Sequence, residues 1–571
     1  MPGSPSTGSA STASNDAIPR STRAPRRRTV LTALAATAAF TAAACSGDAA
    51  TGTATNSLTI YDGATGQFSS NFNPFLETSN GAARGIIYET LLFFNRAAAD
   101  DVRPVLAEDH SWSEDGTTVT FTLREGVRWS DGEPFTSDDV VHTFEAMAEH
   151  PGLNKAALPI VSATAHSDTE VSITLDRPSY SDLWFIAGQT YIVPEHLWAD
   201  LEDPVTHLNS DPVGTGAFAL DSFSAQSIGL AANTDYWDPE KPHLDTVRFV
   251  SHSGNQTALS ALQAGQVDWS GIFIPDVENT FVNRAEGNVS LAVPQFITVL
   301  MPNLEEGPTR DRAVREAIYH GIEREQINDL AFEGYHELPS PAQIILPRDE
   351  AWLAEEFRDE FAGHDPDRAR RILEDAGYEE GGDGVFVSPD GDRLSLAVKV
   401  VTGYTDQINA IQVMTEQLAE VGIELRTQEV SRAAFVSDRD NGRFELAIDS
   451  LYGGPDPFGL YDDFLNSAAA APLGEPASKN YARFRDDEVD EALTRIAGTD
   501  DGEQHREAYA TIQRRVAEEL PYIPVLQTHG VAQFAGGRVT GWPTEDDPYA
   551  LPMPYSYPDI GIVTANLRPA G

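Results

Sequence analysis

Cysteine occurs once in the 571 residues, at position 45, so no intramolecular disulfide can form and an oxidising compartment would find nothing to join. Cations are also scarce: 39 Lys and Arg face 88 Asp and Glu, a formal charge of -49. A surface so acidic repels nucleic acid and anionic lipid, and its expected role is solubility rather than attraction of a cationic ligand. Beyond residue 45 no apolar run is long enough to span a bilayer, and the mean hydropathy of -0.30 argues against a channel or permease. The chain has no G-x-x-x-x-G-K-[ST] phosphate loop, no G-x-S-x-G elbow and no H-E-x-x-H pair. Its 13 His are scattered, with no i, i+4 pair to hold a metal on a helix. Carboxylates are too numerous for any two to single out a glycosidase pair. Neither a metal nor a cofactor is expected, and an enzyme is the disfavoured class.

What is present begins with an address. Residues 1–25 are rich in Ser, Thr, Ala and Pro and cannot bury enough apolar surface to order themselves. Arg26-Arg27-Arg28 then precede an apolar run ending at Ala44-Cys45, the layout of an export signal within residues 1–45. Arg27 and Arg28, followed by Val30-Leu31, resemble a twin-arginine signal; an ordinary Sec signal is the alternative. Ala42-Ala43-Ala44-Cys45 resembles a lipobox, with Ala where the pattern prefers Leu, and makes Cys45 the candidate for lipidation. Residues 46–56 read as a flexible tether.

From Leu58 onward short strand patterns alternate with helical ones, the mark of an α/β chain. Thr118 to Leu123 alternates Val119, Phe121 and Leu123 with three Thr, a half-buried strand. Thr136, with Asp139 three residues on, predicts a capped helix whose Val140, Val141 and Phe144 face a core. Asp365 is a good N-cap with Pro366 at the first helical position, and Gly377 ends that helix. A further helix is expected over 407–421, turned by Gly422 into a strand at 423–427; this order favours parallel pairing in a layered domain.

Residues 103–141 contain Arg-Pro-Val-Leu-Ala-Glu-Asp-His-Ser-Trp-Ser-Glu-Asp-Gly and, after Thr117, Thr-Val-Thr-Phe-Thr-Leu-Arg-Glu-Gly-Val-Arg-Trp-Ser-Asp-Gly-Glu-Pro-Phe-Thr-Ser-Asp-Asp-Val-Val. This block is similar, nearly residue for residue, to the signature of family 5 bacterial extracellular solute-binding proteins, the oligopeptide, dipeptide and nickel group. The likeness continues in family order at 212–218, 233–237, 261–268, 311–324, 369–378 and 520–524. Within these blocks Trp112, Trp129 and Phe135 read as core, and Gly214, Gly216 and Gly265 as backbone turns that other residues cannot adopt.

The resemblance implies a type II periplasmic-binding-protein fold of class α/β, with two lobes, a hinge and an extra N-lobe subdomain. Lobe I would comprise 57–100, 210–295 and 525–571, the last with the C-terminal tail; the inserted subdomain 101–209; and lobe II 296–524. It also implies a binding protein without catalysis, exported and lipid-anchored on the outer face of the cytoplasmic membrane. Such a receptor, expected as a monomer, closes on a small ligand and is recognised by the permease of an ABC importer. Peptide-binding members resemble one another in a lobe II loop where an Asp pairs with the peptide's ammonium. The equivalent stretch here, Asp449 to Pro457, makes Tyr452, Gly453, Gly454 and Asp456 candidate ligand contacts, with Asp456 as the clamp; direct alignment sets Gly454 or Pro455 at the family's Asp. Oligosaccharide-binding members stack aromatic faces on sugar rings, for which Phe72, Asn73, Trp269 and Tyr452 are the candidates. Peptide is the first expectation, a cello- or xylo-type oligosaccharide the second and a nickel or other metal chelate a distant third. A secreted hydrolase, the reading from another class, would require a buried acid pair with one raised pKa.

Overall fold

Two strands of unusual length, Val289–Pro302 and Ile523–Phe534, run antiparallel through the middle of a ten-stranded sheet. The 14 residues of the first would extend roughly 45 Å, enough to serve two lobes. The computed structural model describes residues 56–570 except 65, 99, 100, 359 and 478; the export and lipidation residues Arg27, Arg28 and Cys45 lie outside these.

At one end of this ribbon Ile523–Phe534 pairs with Trp269–Ser270, which pairs in turn with Ser57–Tyr61. Thr246–Val250, Ser227–Ala232 and Phe218–Ser224 continue the sheet outward and complete lobe I. At the other end Ile297 to Pro302 pairs with Leu446–Leu451, next to which lie the parallel strands Ser395–Val401 and Glu424–Val430 of lobe II. Between the two regimes the ladder of the long strands slips twice, between Pro294 and Phe296 and between Thr298 and Val299. Such irregularities bend a strand, and here they sit where one lobe gives way to the other.

The local signals read from sequence explain the elements that surround this ribbon. Thr118–Leu123 buries Val119, Phe121 and Leu123 and joins a separate four-stranded antiparallel sheet spanning 107–175. The helix Ser137–Glu149 starts with both halves of a capping box between Thr136 and Asp139. Asp365 Oδ1 accepts from the Arg368 N–H at 2.8 Å, and Pro366–Asp375 follows. Thr405–Val421 ends at Gly422 with φ +92°, which lets the chain reverse into a strand parallel to Ser395–Val401. That strand is Glu424–Val430, longer than the expected one because Gln428, Glu429 and Val430 continue the parallel ladder beside Lys399, Val400 and Val401 at the edge of the sheet.

Of the aromatics expected in the core, Trp129 and Phe135 are buried, while Trp112 is half-buried beside Tyr180. Gly265 has φ +66°, as a turn requires. Gly214 and Gly216 do not serve positive-φ turns: a Cβ there would fall 1.9 Å from Ile87 O and 2.1 Å from Ile86 O, so close backbone packing excludes a side chain. Among the described residues no helix is long and apolar enough to cross a membrane.

Candidate ligand-binding cleft

Where the lobes face each other, charged and aromatic groups converge that neither core needs. From lobe I come Asp62, just past Ser57–Tyr61, and Glu77 and Arg84, which flank the short turn Gly81–Ala83. A Cβ at Gly81 would lie 2.4 Å from Tyr557 Oη and 2.6 Å from Asp62 Oδ2, so these two groups sit side by side over bare backbone. The Arg84 guanidinium stacks on the Tyr557 ring, 4.2 Å from its centroid.

Lobe II answers with residues at the edges of its elements. Tyr404 is the N-cap of Thr405–Val421, and Arg432 opens Arg432–Asp440 behind the capping residue Ser431. Arg432 Nη1 donates to Tyr404 Oη at 3.2 Å. Arg439, two turns further along the same helix, lies 3.8 Å over the Tyr481 ring and donates to Asp440 and Asp449. Lys479 pairs with Asp463 at 3.1 Å and faces the Tyr452 ring at 5.7 Å.

The lobes touch. Arg439 reaches Glu77 at 3.9 Å, Asn255 N donates to Gly403 O at 3.5 Å, and a Cβ on Gly254 would sit 3.1 Å from Gly403 Cα. This is a closed arrangement. Burial pushes the Glu77 carboxyl up, but Lys479, Arg439, Arg84 and Lys155 together outweigh it and hold the group at about 2. Burial pushes Asp62 up against the opposing pull of Arg432 and Arg84.

Of the residues singled out from sequence, Tyr452 stands at this junction, half-buried and edge-on to Phe296 and Phe464. Gly453 packs against Leu460, and Gly454 packs against Trp184 of the inserted subdomain. Asp456 caps the helix Pro457–Leu465, accepting from the Phe458 N–H at 3.0 Å, with its carboxyl pushed up by burial and by Asp349. Trp269 is fully buried between Phe534 and Trp542 and donates from Nε1 to Pro552 O. Phe72 is buried edge-on to Phe223, and Asn73 Nδ2 ties down the carbonyls of Pro204 and His207. Phe72, Asn73 and Trp269 therefore hold the scaffold, and no face of Trp269 is free for a sugar ring. A depression of about 530 Å³ on lobe I, lined by Thr59, Arg248, His252, Gly265 and Arg538 among others, includes none of the residues at the junction.

Sequence reasoning missed Asp62, Glu77, Arg84, Tyr404, Arg432, Arg439 and Lys479. One signal was available: Arg84 is a lone cation among Ala82, Ala83, Gly85, Ile86 and Ile87 in a chain poor in cations. Buried acids do occur, since Asp462 is pushed up to about 8 by burial and by Asp182. Both are buried in the interior and cannot meet a solute, so they do not form a hydrolase site.

The family model "Bacterial extracellular solute-binding proteins, family 5 Middle" matches residues 101–472. The chain belongs to this family. Protein XP55 of Streptomyces lividans is 30% identical to this solute-binding protein over 422 residues, covering 72% of this chain and 73% of that one. The glutathione-binding protein GsiB of Escherichia coli K12 is 27% identical over 461 residues, covering 79% and 85%. The fold is shared with a mannohexaose-bound periplasmic oligopeptide-binding protein of Thermotoga maritima, with TM-score 0.83, 24% identity, and 90% and 98% of the chains covered. It is shared too with the oligopeptide-binding protein AppA of Bacillus subtilis in complex with a nonapeptide, with TM-score 0.77, 21% identity, and 90% and 99% covered. The type II two-lobe architecture and a role in binding rather than transforming solutes follow for this extracytoplasmic protein.

Proposed function

We propose that this solute-binding protein captures oligopeptides outside the cytoplasm and delivers them to the permease of an ABC importer, working as a monomer held to the membrane by lipid on Cys45. The observation that carries the peptide reading is the meeting of opposite charges from both lobes at one junction: Asp62, Glu77 and Arg84 against Arg432, Arg439 and Lys479. A peptide brings an ammonium, a carboxylate and a row of amides, and charged groups in a closing, partly desolvated cleft reward such a ligand far more than in water. The naming of the relative GsiB for glutathione, itself a short peptide, points the same way.

A second reading, an oligosaccharide, draws on the tyrosines near the junction, Tyr404, Tyr452, Tyr555 and Tyr557, whose faces suit sugar rings. Ligand released from the purified protein and identified by mass spectrometry decides between them: peptides support the first reading, and a neutral hexose or pentose oligomer replaces it with the second. Incorporation of labelled fatty acid that disappears in Cys45→Ala would support the anchor, and its absence from the wild type would remove that part of the proposal.

A further inference from the structure

The inserted subdomain meets lobe II along a second face. Its stretch from Tyr180 to Ile192 is tied to lobe I by backbone: Ile192 N donates to Glu89 O at 3.1 Å, and Tyr191 bridges to Thr90. Toward lobe II it offers side chains. Ser181 Oγ donates to Ile496 O at 3.1 Å, and Phe185 lies edge-on to Phe458. Trp184 fills the space over Gly454 and Gly459, where a Cβ on either would fall 2.9 Å from its ring. A part held to one lobe by main chain and to the other by side chains can release the second without unfolding.

Two carboxyls lie within electrostatic reach of each other across this contact. Asp182 ends the turn Tyr180–Asp182 and is 2% exposed; Asp462, on the helix Pro457–Leu465, is 6% exposed. Arg177 pairs with Asp182 at 3.2 Å, and the Ser179 hydroxyl supports it. Asp462 accepts from Asn466 Nδ2 at 2.8 Å and forms no ion pair among the described residues. Its neighbour Asp463 takes Lys479, which Glu77 also faces. From the helix Asp487–Ala497, Asp490 accepts the Ser467 N–H and Arg495 is exposed; Asp349 and Arg348 face Asp456 at the far end of the Asp462 helix. Asp182, Asp462 and Asp463 are thus three carboxyls against two cations, Arg177 and Lys479. A buried carboxyl without its own cation keeps a proton instead of a charge.

We propose that the inserted subdomain is a proton-dependent latch: Asp182 and Asp462 share one proton when the subdomain and lobe II join, so closing the cleft takes up a proton and opening returns it. Parted from the subdomain and wetted, Asp462 ionises near pH 4; joined, burial and Asp182 push it up to about 8. The joined form therefore binds the extra proton between these values. Acid favours it, and the ratio of joined to parted chains falls by up to about tenfold for each unit of pH rise in that window.

Donor and acceptor dyes on the exposed Ala165 of the subdomain and Glu491 of lobe II, in the full-length chain without added ligand, test this from pH 5 to 9. The expected result is a short-distance population that shrinks as pH rises toward about 8, by up to about tenfold per unit. Asp462→Asn cannot ionise and should keep the short distance across the range. If that variant does not fold, Asp182→Asn takes its place: it leaves Arg177 to the remaining carboxyl and should shrink the response. No outcome depends on which solute the cleft holds. A wild-type distribution that pH leaves unaltered overturns the inference, as does a response undiminished in whichever variant folds.

Discussion

The Glu77 carboxylate of lobe I stands 3.9 Å from the Arg439 guanidinium of lobe II. Arg439 keeps Asp440 and Asp449 when the lobes part, so this contact contributes to closure and little to the fold. Replacing Glu77 by Gln should favour the open form by about 1 kcal/mol, the scale of a partly exposed pair. Dyes placed one on each lobe should report a shift toward longer distance, with the melting temperature nearly unchanged. An unaltered distance distribution would mean the pair does not hold the lobes. Because Glu77 is held at about 2, below its ordinary value, its contribution is fully present above the unfolded carboxyl range and is lost progressively as pH falls from that range through about 2.

Gly403, with φ +92°, lies against the backbone of the opposite lobe: a Cβ there would sit 2.9 Å from Ser253 O. Gly403→Ala should cost about 1 kcal/mol of stability for the backbone conformation and, separately, at least about tenfold in ligand affinity by propping the lobes apart. Gly391 has φ +91° with nothing within 4 Å, so Gly391→Ala should share the strain and keep the affinity. Equal affinities in the two variants would show that closure does not bring these backbones together.

The buried Asp462 carboxyl, pushed up to about 8 by burial and by Asp182, sets a pH dependence of stability. In the folded chain it stays protonated through neutrality, whereas unfolded it ionises near pH 4, so the folded state binds the extra proton between those values. Stability should therefore fall as pH rises from about 4 to about 8, with the full contribution present only at the acid end. Asp462→Asn should flatten that part of the slope in calorimetric melts from pH 5 to 9; an unchanged slope would assign it to other groups.

Trp269 and Asp456 serve the scaffold, and their substitution should show it. Trp269→Ala removes a fully buried ring and its hydrogen bond to Pro552 and should cost about 3–5 kcal/mol of folding stability, with no preference among ligands. Asp456→Asn keeps a good N-cap and should change both stability and affinity little. Selective loss of one ligand class in either variant would return these residues to the binding site.

Much of the scaffold was legible because its causes are local. The Thr136 to Asp139 box, the Asp365-Pro366 start and the Gly422 stop each act within one turn of chain, and each fell where the sequence indicated. Asp456-Pro457 carries the same helix-start pattern as Asp365-Pro366, so its capping role was readable by the same rule. The junction was less legible because each element supplies a single residue at its edge. Asp62 and Tyr557 meet across almost the whole chain, and Tyr404 and Arg432 belong to successive helices whose periodic faces point elsewhere. Trp269 misled for the converse reason: the Phe534 and Trp542 rings that enclose it lie far along the sequence, and a lone aromatic carries no sign of its neighbours.

Small-angle scattering of the full-length chain, titrated with a defined mixture of short peptides and in parallel with neutral oligosaccharides, tests the central claim most directly. A two-lobed peptide receptor should become more compact as peptides saturate it, re-expand when they are dialysed away, and return them chemically unchanged. Scattering that peptides leave unaltered while a neutral oligosaccharide compacts the particle, or peptides recovered cleaved, would contradict it.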